Sequence, residues 1–280
     1  MNVNLALRTG VFKPREIVKI SESLNLDHVF IPDVSRELDV LEIVASVLLR
    51  NQTAKAGPGV LRINEWETAQ LVKRLRVLDE VSEGRAFLGA GLGAVSEDVK
   101  GKVEEMRERI ALVKGEVNIK VYVASLKSGI ATKLSDVADG IILNFATFDH
   151  AKKVSEAFKA KAGKKLVISY FKFFVSRRPG EAEYMAYSEL TKYASMPQYY
   201  DLFRKEGVIN EINRLERSRA EALSALESRG VIAINPSKEH LSSVHDLFVS
   251  SGVDMLVFYP YFSSEMSLED KLSYLKNAFS

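Results

Sequence analysis

Short apolar runs recur along this chain with an amphipathic helix after nearly every one, and this rhythm most limits what it can fold into. The runs are Val3 to Leu7, Val29 to Ile31, Ala54 to Leu61, Ala86 to Leu88, Ile119 to Ala124, Gly140 to Leu143, Leu166 to Val175 and Met255 to Phe258. Seven of the eight begin roughly every 21 to 33 residues, the beat of strand and crossover helix in a parallel sheet. Eight such units close on themselves, so the expected fold is α/β, a (βα)8 TIM barrel. The helices follow from periodicity. Pro14 opens one whose Ile17, Ile20 and Leu24 share a face, and Asp39 with Glu42 reads as a capping box. Further helices are expected over Glu65 to Val81, Glu97 to Lys114, Ser128 to Val137, from Asp149 as a cap to about Ala162, and Leu268 to Ala278. The chain of 280 residues, 46% hydrophobic and 27% charged, can bury a core of the size this fold needs.

One interval breaks the beat. Pro179 to Arg229 is a helical excursion between the seventh and eighth strands, within what is otherwise expected to be a single barrel domain over residues 1–280. A segment of this length needs its own packed structure. Its Tyr184, Tyr187, Tyr193, Tyr199 and Tyr200 can line a cleft or serve as helix packing and a subunit contact, and the residues leave both open.

Lys plus Arg exceed Asp plus Glu by two, 39 against 37. No basic run interleaves with aromatics, so nucleic acid is not an expected partner, and no apolar run reaches bilayer length. A cytoplasmic protein is expected. The absence of cysteine excludes disulfides, thiolate metal ligands and a cysteine nucleophile, and with few glutamines it points toward a thermophilic source. No P-loop, H-E-x-x-H or G-x-S-x-G is present. The histidines form no metal spacing: His240 and His245 do not stack on one helical face, and His28 falls at the amino-terminal end of its strand.

In a barrel the ligand site is assembled at the carboxyl ends of the strands. Those ends carry Arg8, Asp33, the Gly59-Val60-Leu61 bend, Gly91 to Ala94, Ser125 to Gly129, Asn144 to Thr147, Ser176 and Tyr259. The stretch LDEVSEGRAFLGAGLG, Leu78 to Gly93, ends in glycines at alternate positions. They permit either close approach of a flat or phosphorylated ligand or plain tight turns. Their spacing is not a dinucleotide fingerprint. Ser125, Leu126 and Lys127, leading into a helix, and Asn144 beside them could seat a phosphate, or could simply cap.

With these pieces assembled, the chain resembles the luciferase-like monooxygenase family, the bacterial-luciferase-type barrels that use FMN or the deazaflavin coenzyme (F-420). The matching segments are LDHVFIPD (Leu26 to Asp33), GPGVL (Gly57 to Leu61), Leu78 to Gly93, VYVAS (Val121 to Ser125), ADGIILN (Ala138 to Asn144), YASMPQYYDLFRKEG (Tyr193 to Gly207) and VDMLVFYP near the end. The resemblance implies a flavin or deazaflavin at the barrel mouth, with a non-proline cis peptide at Gly59-Val60 against its central ring. It also implies phosphate contacts from Ser125, Leu126, Lys127 and Asn144, and contacts beside the ring from Leu61, Gly91, Gly93 and Glu97. A homodimer is the family habit. The departures concern the reaction: Val34 stands where deazaflavin-dependent dehydrogenases of this type carry histidine, Ala94 where they carry glutamate, and Arg8 where the methylene-tetrahydromethanopterin reductases carry an acid. The family's substrates and proton relay therefore do not transfer. The expected function is an oxidoreductase passing hydride to or from a small organic substrate, with Arg8, Asp33 and Glu65 as candidate catalytic groups. An FMN-dependent monooxygenase fed by a separate reductase and a non-catalytic flavin-binding barrel are the competing readings.

Overall fold

The computed structural model describes residues 3–34, 38–93 and 98–279. From the amino end come β1 (Asn4–Ala6), α1 (Pro14–Ser23), β2 (His28–Ile31), α2 (Val40–Arg50), β3 (Lys55–Pro58) and β4 (Leu61–Arg62). A 3-10 turn, Ile63–Glu65, precedes α3 (Thr68–Val81) and β5 (Phe87–Gly91). Then follow α4 (Val99–Glu116), β6 (Lys120–Ala124), α5 (Ser128–Lys133), β7 (Gly140–Asn144), α6 (Phe148–Ala162) and β8 (Leu166–Val175). The excursion holds α7 (Glu181–Ala194), α8 (Pro197–Lys205), α9 (Ile209–Arg214) and α10 (Arg219–Ser228). The chain returns through β9 (Ile232–Ile234) and α11 (Lys238–Ser250) to β10 (Met255–Phe262) and α12 (Leu268–Phe279).

The sheet is parallel throughout and runs β3-β2-β1-β10-β8-β7-β6-β5-β4. An Ala56–Ala86 bridge and a 3.2 Å bond from Ala56 N–H to Arg85 O bring its two ends together. β3 and β4 are the two halves of one barrel strand, separated at Gly59–Val60, whose peptide bond is cis. The glycines here answer to packing. A Cβ at Gly57 would lie 2.1 Å from Phe87 O, and one at Gly89 would lie 2.3 Å from Pro58 O, so only bare backbone lets these strands approach.

Side chains alternate across the barrel wall. Leu5, Val29, Leu88, Val121, Ile141 and Val167 face outward onto Ile17, Val44, Leu75, Ile110, Val154 and Leu241 of the helices. Phe30, Phe87, Tyr122, Ile142, Ile168, Tyr170 and Val257 fill the interior, and this inner cluster continues into Leu190, Phe203, Ile212 and Leu223 of the excursion. Burial of each such side chain contributes about 1.5–3 kcal/mol.

Several boundaries differ from the sequence reading. Thr147, not Asp149, caps α6, its hydroxyl accepting the His150 N–H at 3.0 Å. The helix expected from Glu65 starts at Thr68, where the Glu67 side chain accepts from Gln70 N. α5 stops at Lys133 rather than Val137, as the Ser135 hydroxyl turns back to Thr132 O at 2.7 Å. β10 continues past Pro260 because β1 pairs with it only at Leu5–Phe258, and beyond that point an open edge tolerates proline. Among the described residues no helix is long and apolar enough to cross a membrane.

Candidate active site

The carboxyl ends of the strands surround a cleft of about 380 Å³. One wall is built by β3–β7 and their loops: Gly59, Val60, Gly91, Gly93, Ser125, Leu126, Lys127 and Asn144 all line it, as do Asp33 and Arg62. The other is built by β8, β10 and the excursion, from Tyr170, Tyr259, Lys192, Tyr193, Met196, Gln198 and Tyr199.

The glycine-rich end of β5 shapes the first wall indirectly. A Cβ at Gly91 would stand 2.6 Å from Val60 Cγ2, so the space the glycine leaves is taken by Val60, and Val60 faces the cleft. Tyr170 donates to Gly59 O at 3.0 Å from across the barrel, holding the carbonyl of this peptide toward the interior. Gly93 has φ +70°, with Arg62 packed over it. Arg62 in turn donates to Asp33 through Nε and Nη2 at 3.3 and 3.4 Å, and its Nη1 lies 3.4 Å from Glu65. Asp33 thus enters the cleft as half of an ion pair.

The second strand-end cluster is more self-contained than the sequence suggests. The Ser125 hydroxyl closes its own loop, donating to Lys127 O at 2.8 Å, and α5 has six residues. Lys127 Nζ is half-exposed, 4.0 Å from Asp201. Asn144 donates from Nδ2 to the Tyr199 hydroxyl at 2.8 Å, while its buried Oδ1 has no hydrogen-bond partner. A buried carbonyl oxygen without a donor is costly, and a ligand carrying N–H or O–H groups in this cleft would satisfy it.

Three of the sequence-predicted residues lie outside the cleft lining. Leu61 points into the helix-facing core, Glu65 stands on the 3-10 turn as the outer partner of Arg62, and Arg8, part-buried just past the end of β1, is turned to Glu189 and Tyr261. Glu97 and Ala94 lie outside the described residues. Among the excursion tyrosines, Tyr193 and Tyr199 line the cleft, whereas Tyr187 hydrogen-bonds Glu216 and Tyr184 and Tyr200 are exposed.

Arg8 belongs to a group that the sequence reading missed. Its Nη1 donates to Glu189 Oε1 at 3.2 Å and to the Tyr261 hydroxyl at 2.8 Å, and the Tyr261 hydroxyl donates to the same Glu189 oxygen. Lys172, 1% exposed in the middle of β8, lies 3.5 Å from Glu189 Oε1. Its ammonium is 3.7 Å from the Phe145 ring centre and 4.1 Å from that of Tyr193. Burial brings the Lys172 pKa down to about 7, with Glu189 opposing the shift. Burial pulls the Glu189 carboxyl upward, yet Lys172 and Arg8 outweigh it and hold it below its ordinary value. Burial lowers Arg8 as well, but Tyr261, Tyr259 and Glu189 leave its guanidinium above the ordinary range. One signal was available: a single lysine stands in the otherwise apolar run LVISYFKFFV, at a position that alternation turns inward.

A closed parallel barrel with this cleft is the fold shared by luciferase-like flavin- and deazaflavin-dependent enzymes. An F-420-dependent secondary alcohol dehydrogenase bound to an F-420–acetone adduct superposes with TM-score 0.73 at 10% identity, over 100% of both chains. The oxygenating constituent of 3,6-diketocamphane monooxygenase from Pseudomonas putida, in complex with FMN, gives 0.66 at 14% identity over 99% of this chain and 96% of that one. By sequence the chain is similar to the 5,10-methylenetetrahydromethanopterin reductase of Archaeoglobus fulgidus, 24% identical over 180 residues, 52% of this chain and 54% of the relative. The match thus spans about half the length of that curated relative. No family model matches the chain.

Proposed function

We propose that the chain is an oxidoreductase that binds a deazaflavin (F-420) or FMN in the cleft and passes hydride between it and a small organic substrate. The observation that carries this reading is the convergence of the Gly59–Val60 peptide, the Gly91–Gly93 strand end, the Ser125–Lys127 loop and the unpaired Asn144 Oδ1 on one cleft. The residues fit the group: a flat wall for a ring system, an unsatisfied acceptor, and Lys127 at the edge for a phosphate. The bound cofactor would supply hydride chemistry at its central ring. Val60 and the Gly59 carbonyl, fixed by Tyr170, would set the plane of the ring. Asp33, held by Arg62, is the charged pair on this wall suited to orienting a polar group of the substrate. The outer residue Glu65 acts through Arg62 in this reading. Arg8 acts from beside the cleft, through Glu189 and Tyr261, rather than inside it. A cytoplasmic, homodimeric protein of thermophilic origin completes the reading. Exposed Leu49, Val77 and Leu112 on α2, α3 and α4 support the dimer, which sedimentation velocity tests.

Titration of the purified protein with FMN and with the deazaflavin, followed by absorbance and fluorescence, tests the function. At least one is expected to bind, and failure of both refutes the proposal. Exposure of the reduced complex to oxygen separates a dehydrogenase or reductase, slow to oxidise, from a monooxygenase.

A further inference from the structure

The group beside the cleft, on the carboxyl-terminal side of Tyr170 and Tyr259, has an odd charge count. Arg8 and Lys172 share one carboxylate, Glu189: Lys172 contacts its Oε1, and Arg8 Nη1 reaches Oε1 at 3.2 Å and Oε2 at 3.4 Å. Facing Lys172 are Glu189 and Lys192 from α7, Arg8 from the end of β1, and Tyr259 and Tyr261 from β10. No second carboxylate is recorded against the ammonium among the described residues. A surplus buried cation is costly unless something compensates it or it gives up its proton. Aromatic faces offset only a part of that cost.

The position of the surplus gives it meaning. Tyr193 and Tyr259 both line the cleft and also cage Lys172, with ring centres 4.1 and 5.2 Å from Nζ. Only one layer of rings separates the ammonium from ligand space. Lys192, exposed, lines the mouth of the same wall. This is the wall opposite the one assigned above to the cofactor.

We propose that this wall takes an organic anion as substrate, a small carboxylate or a carbonyl compound that gains negative charge as it reacts, its charge compensated by the surplus cation of the Arg8–Glu189–Lys172 group. The inference rests on the cofactor reading only for which wall is free. An anion seated over Tyr193 and Tyr259 favours protonated Lys172, so binding draws in a proton when the free protein has begun to lose it. The low Lys172 pKa places that condition just above neutrality.

Calorimetric titration with benzoate and propionate, against benzamide and propionamide, tests this with and without saturating FMN, in two buffers of different ionisation heat at pH 8. The expected result is that each carboxylate binds at least tenfold more tightly than its amide and takes up a proton. Both effects should be lost in Lys172→Met, and Glu189→Gln should tighten carboxylate binding. Equal affinity for acid and amide, binding without proton uptake, no binding of either, or wild-type behaviour in Lys172→Met would each overturn the proposal. Far-ultraviolet dichroism confirms that the variants fold, and the wild-type proton count decides the matter should neither do so. The FMN signal is read separately in the same cell, so an absent flavin site and an absent anion site give different results.

Discussion

Gly89 and Gly91 sit two residues apart on β5 and differ in what an added side chain meets. At Gly89 a methyl group meets backbone, Pro58 O at 2.3 Å, and the strand itself must move. Gly89→Ala is expected to cost about 3 kcal/mol or more, at the upper end of overpacking penalties, seen as a lowered Tm. At Gly91 it meets Val60 Cγ2 at 2.6 Å, which can swing into the cleft. Gly91→Ala should cost about 1–2 kcal/mol of stability and weaken flavin or deazaflavin affinity at least tenfold in a fluorescence titration. The buried bases set the pH dependence of stability. Burial holds folded Lys172 at about 7 against an ordinary 10.5. The unfolded chain binds the extra proton between those values, so stability rises with pH across that window, by up to about 1.4 kcal/mol per unit. Lys172→Met removes this rise, which Tm measured from pH 7 to 10 would reveal. His28, inside the foot of the barrel beside Phe30 and Phe87, is brought by burial to about 4 from 6.5. Its contribution is therefore lost as pH falls from 6.5 to 4, and His28→Gln should flatten that acid limb.

At the scale of elements, the turn between α3 and β5 ties several pieces together. Arg85 donates to Asn51 O at 2.7 Å, Ala54 O at 2.9 Å and Leu48 O at 3.0 Å, covering carbonyls that the end of α2 leaves open. Arg85→Ala should cost roughly 2–3 kcal/mol, because three partly buried acceptors lose a charged donor; urea unfolding measures it. Elements whose signal is local were legible in the sequence. The eight barrel strands, the break at Gly57 to Gly59 and the Asp39 cap all rest on residues within a few positions of one another. β9 was not: Ile232–Ile234 is short and becomes a strand by pairing with β8 at Lys172 to Phe174, some sixty positions earlier. The same limit explains the site. Strand ends and glycines pointed to one wall of the cleft, whereas Glu189 meets Arg8 across 181 positions, and no spacing rule joins them. Leu61 and Glu65 were near the right place, but the break after Pro58 changes which side chains turn inward.

At the scale of the whole molecule, the excursion is woven into the wall. The lower half of β8 pairs with β7 as far as Asn144–Tyr170, and its upper half pairs on with β9 from Lys172–Ile232. α7 carries Glu189, the carboxylate that both Arg8 and Lys172 contact. A deletion of residues 179–229 bridged by a short linker should therefore do more than uncover the cleft. It removes that carboxylate from two buried cations and strains the return to β9, and the expected product aggregates or unfolds cooperatively at a Tm far below the parent's. A soluble, barrel-shaped product with native near-ultraviolet dichroism would contradict this. For anyone recombining barrels of this kind, the forked pairing of β8 sets the cut points. The exchangeable cassette runs from just after Val175 to just before Lys238, with β9 carried inside it, and it must bring its own acid for Lys172. The excursion is in that sense a keystone, since the arch on either side of it has been shaped on the assumption that it is there.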